Sequence, residues 1–194
     1  MQTNILSKFL VGDSMIRDIS HLPSTKVVCK RGVTLRTLAE TLFADHRYCV
    51  TQSHMTLVFA GTNDMESRSI EEVLEDIRAI VTQYRSLKVG HIGFATIIPR
   101  PKDGRKMADK VKAYNFKLMA WCADNGCVCV RAHGPFLLGG RPRQGLFNRG
   151  RLHLRSGGSF PSGAYILRNF LRSELADKTL YLRMSEVERR FFDS

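Results

Sequence analysis

Residues 9–18 read FLVGDSMIRD, and the hydroxyl of Ser14 is the first group in the chain placed where it could do chemistry. Phe9, Leu10 and Val11 have the pattern of a buried strand, and Gly12–Asp13 that of a turn. Ser14 then stands where a strand gives way to a helix, with backbone N–H groups unspent and a crevice to face. A helix cap by Asp13 or Ser14 uses the same residue types. Three other stretches offer partners: Arg31–Gly32, "GTND" from Gly61 to Asp64, and "GRLHL" with His153. Nucleophilic chemistry at a serine needs a base to take its proton, so a hydroxyl, two donor-rich turns and a histidine form a meaningful set only if one edge of the fold gathers them.

The elements that must do the gathering alternate along the chain. Strands are expected near 8–12, 25–29, 55–60, 89–97 and 126–131, and helices near 15–21, 34–44, 69–87, 107–124 and 161–175. The third helix is the clearest, with Ile70, Val73, Leu74, Ile77, Ile80, Val81 and Tyr84 on one stripe. Ser69 and Glu72 supply it with a capping box. Continuously apolar strands such as "MTLVFAG" suit a parallel sheet covered on both faces. The order predicts an α/β protein with a doubly wound, flavodoxin-like parallel sheet of about five strands flanked by helices. In such sheets ligands bind beyond the carboxyl ends of the strands, where Ser14, Gly32, Gly61–Asp64 and the aperiodic stretch 132–160 all fall.

Length and composition predict one domain over residues 1–194, with its core at about 8–175 and a C-terminal extension at 176–194. No apolar stretch is long enough to span a bilayer and no signal-peptide pattern opens the chain, which suits an intracellular, cytoplasmic protein or one domain of a longer chain. The five cysteines lack metal-ligand spacing and read as buried free thiols, so no metal or cofactor is expected. The formal charge of +12 comes from 30 Lys and Arg against 18 acids. Arg100, Lys102, Arg105 and Lys106 follow the fourth strand. Arg141, Arg143, Arg149, Arg151 and Arg155 follow the fifth in a stretch without an acid. Such cations suit a polyanion: RNA, single-stranded DNA or anionic membrane lipid.

The blocks "VGDS", "KRG", "GTND" and "LHL" together resemble those of the SGNH (GDSL-type) hydrolases, serine esterases and lipases with a flavodoxin-like sheet. The resemblance covers about residues 9–175. The pieces "WCADNGCVCV", "GRPRQGLF" and "RLHLRSGG" are similar to the esterase domain in the first open-reading-frame proteins of some LINE-type retrotransposons, which package their own RNA. The resemblance implies that Ser14 is the nucleophile and His153 the general base. It also implies an oxyanion hole made by the Ser14 N–H, the Gly32 N–H and the Asn63 side-chain amide. Donors aimed in advance at a tetrahedral oxyanion are worth about 2.7–4 kcal/mol each. Gly32 would let its N–H approach the substrate without a side chain in the way.

One position departs from the pattern. The family's last block reads Asp-x-x-His, and here the acid's place is taken by Gly150, between Arg149 and Arg151. Without the acid, His153 loses the group that orients its ring and stabilises its charged form. Two functions therefore stand side by side. One is an esterase acting on a small acyl ester or an acylated lipid through a Ser–His dyad. The other is a weak or inactive module of the same fold that binds RNA or DNA through its basic loops.

Overall fold

The computed structural model describes residues 8–19, 21–88, 90–156 and 162–176. Of the expected extension at 176–194, all but Ala176 lies outside the described residues. Strands β1 (Lys8–Gly12), β2 (Thr25–Cys29), β3 (Met55–Phe59), β4 (His91–Ala95) and β5 (Val128–Val130) form a five-stranded sheet in the order β2-β1-β3-β4-β5. The pairings are parallel, with Lys8 opposite Thr25 and Met55, and Gly93 opposite Val128. This is the doubly wound order whose switch point lies between β1 and β3. Both of those strands are buried along their whole length, Lys8 and Thr56 included among otherwise apolar or glycine positions. Helices flank the sheet, so the expected fold class is the observed one.

By its internal contacts the chain divides into two compact units, Met1–Ile92 and Gly93–Ser194, with the division inside β4. In the first unit, α1 (Leu35–Asp45) packs on α3 (Ile70–Ser86), and the short α2 (Arg47–Thr51) follows α1. Leu35, Leu38 and Leu42 of α1 are buried, as are Val73, Ile77, Ile80, Val81 and Tyr84 of α3. Ile70 and Leu74 lie at the half-exposed margin of the expected stripe. The capping box forms as read, with the Glu72 N–H donating to Ser69 Oγ and the Ser69 N–H to Glu72 Oε2 at 2.7 Å.

The expected helix at 15–21 is a correction. The chain makes only a short 3-10 turn at Ser14–Ile16. His21 and Ser24 then take positive φ (58° and 50°), which a continuing helix cannot accommodate. The α2 turn was not expected; at five residues it is too short for periodicity to reveal.

In the second unit, α4 (Arg105–Asp124) covers β5, and α5 (Gly163–Glu174) packs on 3-10 turns at Gly134–Phe136 and Gln144–Leu146. The buried Asn115 of α4 pairs with both backbone groups of Ile97, each at 2.8 Å, pinning the chain just past β4. A hairpin of β6 (Leu137–Leu138) and β7 (Arg141–Pro142) projects between the two 3-10 turns in sequence. All five cysteines are free thiols. Cys122 and Cys127 are buried as expected, Cys49 and Cys129 are half-buried, and Cys29 is exposed on the outermost strand β2. Among the described residues no helix is long and apolar enough to cross a membrane.

Candidate active site

Three turns at the carboxyl ends of β1, β2 and β3 are tied together within the first unit. Gly12 closes β1 so near to β3 that a Cβ there would lie 2.1 Å from the Phe59 carbonyl oxygen, which only glycine permits. The next N–H, of Asp13, donates to that same oxygen at 3.0 Å. On the other side the Lys30 N–H donates to the Gly12 carbonyl at 2.8 Å, and the Cys29 thiol to the Asp13 carbonyl at 3.3 Å. The Gly-Asp-Ser turn is thus held by both neighbouring strands.

Within that turn the two candidate caps separate. Asp13 is buried, and its Oδ1 accepts the Met15 N–H at 2.9 Å, so capping falls to the aspartate. Ser14 opens the 3-10 turn and is half-buried, neither sealed in the core nor on the open surface.

Gly32 sits in the turn after β2 with φ of +72°, and a Cβ there would meet nothing within 4 Å. The positive φ gives glycine a conformational reason at this position. The turn is braced from β3. Asn63 Nδ2 donates to the Val33 carbonyl at 2.9 Å, and the Leu35 N–H, at the start of α1, donates to Asp64 Oδ2 at 2.9 Å. An amide nitrogen carries two protons, so Asn63 spends one on this brace.

Asp64 is fully buried, and burial pushes its carboxyl above the usual carboxylate range, against the opposing pull of the Leu35 N–H and Arg68. Arg68 meets it at 3.0 Å and also bonds Asp76 of α3. The acid pair holds Arg68 charged more firmly than usual, through its bond to Asp76 foremost. Asp64 stands in the GTND turn with no catalytic role expected of it. Its spacing of four residues to Arg68 was the signal for this network.

In the second unit the stretch around His153 is folded by its own backbone. Phe147 bridges Leu154, the Asn148 N–H donates to the His153 carbonyl at 2.9 Å, and the Arg151 N–H to the Asn148 carbonyl at 2.8 Å. Farther along, the Arg155 N–H reaches the Leu146 carbonyl at 2.9 Å, and the Ala164 N–H reaches the Arg155 carbonyl at 3.1 Å. Gly163 lies against the loop so closely that a Cβ would be 1.9 Å from the Leu146 oxygen. The loop is therefore anchored to the start of α5, with His153 half-buried at its turn. Gly150 is exposed, and a Cβ there would find only Asn148 Oδ1 at 3.5 Å.

Of the expected cations, Lys102, Arg105, Lys106, Arg141, Arg143, Arg149, Arg151 and Arg155 are exposed. Arg100 departs from that expectation. It is buried and grips Asp103 through Nε at 3.0 and 3.1 Å and Nη2 at 2.8 Å, because the turn after β4 brings the acid three residues on against it.

A pair that sequence reading missed lies past the ends of β4 and β5. Thr96 Oγ1 meets His133 Nδ1 at 2.7 Å and accepts the His133 N–H at 3.2 Å. Burial foremost, then the Arg131 charge, holds His133 below the ordinary histidine value of 6.5. Thr96 and His133 are 37 positions apart, and nothing in their local sequence links them.

Neither a sequence-family profile nor a curated protein matches the chain. Solved structures do. A GDSL-like lipase from Bacteroides thetaiotaomicron is similar at a TM-score of 0.70 and 12% identity, over 86% of this chain and 83% of that one. An acetyl xylan esterase is similar at 0.71 and 13% identity, over 87% and 100%. A member of the lipolytic G-D-S-L family from Veillonella parvula is similar at 0.66 and 15% identity, over 87% and 97%. At such identities the likeness is one of fold: the chain has the fold of the GDSL-type lipases and esterases.

Proposed function

We propose that the protein is a serine esterase of the SGNH type, acting on a small acyl ester or an acylated lipid. The observation that carries this reading is the bracing of the Gly32 turn by Asn63 and Asp64, beside a Ser14 turn locked between β2 and β3. Such rigidity suits donors that must be aimed before the charge arrives.

In this reading Ser14 Oγ attacks the acyl carbon while His153 takes its proton. The oxyanion is met by the Ser14 and Gly32 N–H groups and by the Asn63 amide proton not spent on Val33. His153 then gives its proton to the departing alcohol, and water attacks the acyl-enzyme by the same steps reversed. No metal or cofactor enters the chemistry. Gly150 leaves the imidazole without the family's acid, and a backbone carbonyl could hold the ring's tautomer in its place. Turnover well below that of a complete triad is expected. Hydrolysis of p-nitrophenyl acetate by wild type and by Ser14→Ala tests the reading; equal rates would refute it.

A second reading is favoured by Gly150 and the exposed arginines: a module of this fold without catalysis, binding RNA or single-stranded DNA through its basic loops. The narrower likeness to retrotransposon esterase domains, carried by the sequence pieces alone, suits it. Filter binding at low and physiological salt tests it, with steep loss of affinity as salt rises.

A further inference from the structure

We infer that the β6–β7 hairpin docks the protein on an anionic lipid surface, with Leu138 entering the interface and Arg141 and Arg143 of the same hairpin meeting the headgroups. Leu138 is 75% exposed. A lone exposed leucine is ordinary, and its setting is what sets this one apart. Leu138 pairs with Arg141 across a two-residue turn in which Gly139 and Gly140 both take positive φ, 56° and 76°. That turn needs φ above zero at both positions, which two glycines supply. Its base is fixed by the Arg143 N–H on the Phe136 carbonyl at 2.8 Å and by Arg143 Nη1 on the Pro135 carbonyl at 3.1 Å. The apolar tip is held out to solvent by a built turn.

Charge chooses the partner's sign. Between Asp124 and Glu174 the sequence holds no acid, while Arg131, Arg141, Arg143, Arg149 and Arg151 are all exposed. Single-stranded nucleic acid is bound by pairing cations with aromatic faces for the bases. Here both phenylalanines of residues 131–156 are buried, Phe136 against Phe147 with ring centroids 6.1 Å apart. An aliphatic side chain beside Arg141 and Arg143 instead suits the boundary between headgroups and acyl chains. The binding claim stands apart from the esterase reading. Only its corollary, a substrate ester presented at such a surface, rests on that reading.

The test is sedimentation with vesicles of phosphatidylcholine alone and of phosphatidylcholine with 30% phosphatidylserine, at low and physiological salt. Wild type should bind the anionic vesicles, more weakly as salt rises, and leave the neutral ones. Leu138→Ser should weaken binding about tenfold, and Arg141→Gln about fivefold. Both sites are exposed, so thermal midpoints should match wild type, and p-nitrophenyl acetate turnover should not change. Anionic-vesicle binding indifferent to Leu138→Ser overturns the proposal, as does binding of a single-stranded oligonucleotide with no vesicle binding. Vesicle binding with no ester hydrolysis sinks the esterase reading and leaves the docking intact. Hydrolysis without vesicle binding does the reverse.

Discussion

The carboxylate of Asp64 accepts the backbone N–H of Leu35 at 2.9 Å, from a position with no solvent exposure. The bond joins the turn after β3 to the first residue of α1, and so steadies the Gly32 turn that precedes it. Asp64→Ala would strand that N–H and loosen Arg68. A loss of about 2–4 kcal/mol is expected in denaturant titrations. Asp64→Asn, which keeps one acceptor, should lose less; equal losses would show that the Leu35 bond is not what Asp64 contributes.

If Ser14 is the nucleophile, Ser14→Ala abolishes turnover and leaves the fold intact, since Ser14 is outside the core. Asn63→Ala should lower turnover about a hundredfold or more. It also removes the bond to the Val33 carbonyl, so a stability loss of about 1 kcal/mol should accompany it. Steady-state kinetics beside thermal melts separates the two effects. A stability loss with full turnover would remove Asn63 from the oxyanion hole.

Gly150→Asp restores the acid three residues before His153. Room exists for it, because the nearest atom to a Cβ at Gly150 is Asn148 Oδ1 at 3.5 Å. Esterase activity should rise, and the folded protein should tolerate the change. Unchanged activity would mean that another group already orients His153.

His133 gives a pH prediction. Its folded pKa is lowered from 6.5 by burial and by Arg131, so folding favours the neutral ring. Stability from this group is whole above 6.5 and is lost as pH falls from there through the lowered folded value. His133→Gln should flatten that part of the stability curve. Chemical denaturation from pH 7.5 to 4.5 reads it, and parallel curves for the two proteins would refute it.

Periodicity and turn chemistry act over a few residues, which is why the sequence by itself determined the strand–helix order, the capping box at Ser69 and the Gly-Asp-Ser turn after β1. Each of these depends on neighbours in the chain. The same locality explains the misreadings. The segment 15–21 has helical spacing, yet the chain makes only a 3-10 turn at Ser14–Ile16 and takes positive φ at His21; Arg100 reads as a surface cation until the turn folds it onto Asp103. Asp64 with Leu35, Asn63 with Val33, and Thr96 with His133 were decided only by the tertiary structure, since their partners are 29, 30 and 37 positions apart. A parallel sheet separates adjacent strands by whole crossovers, so the contacts that fix donor geometry at its edge are long-range, and local sequence carries no signal for them.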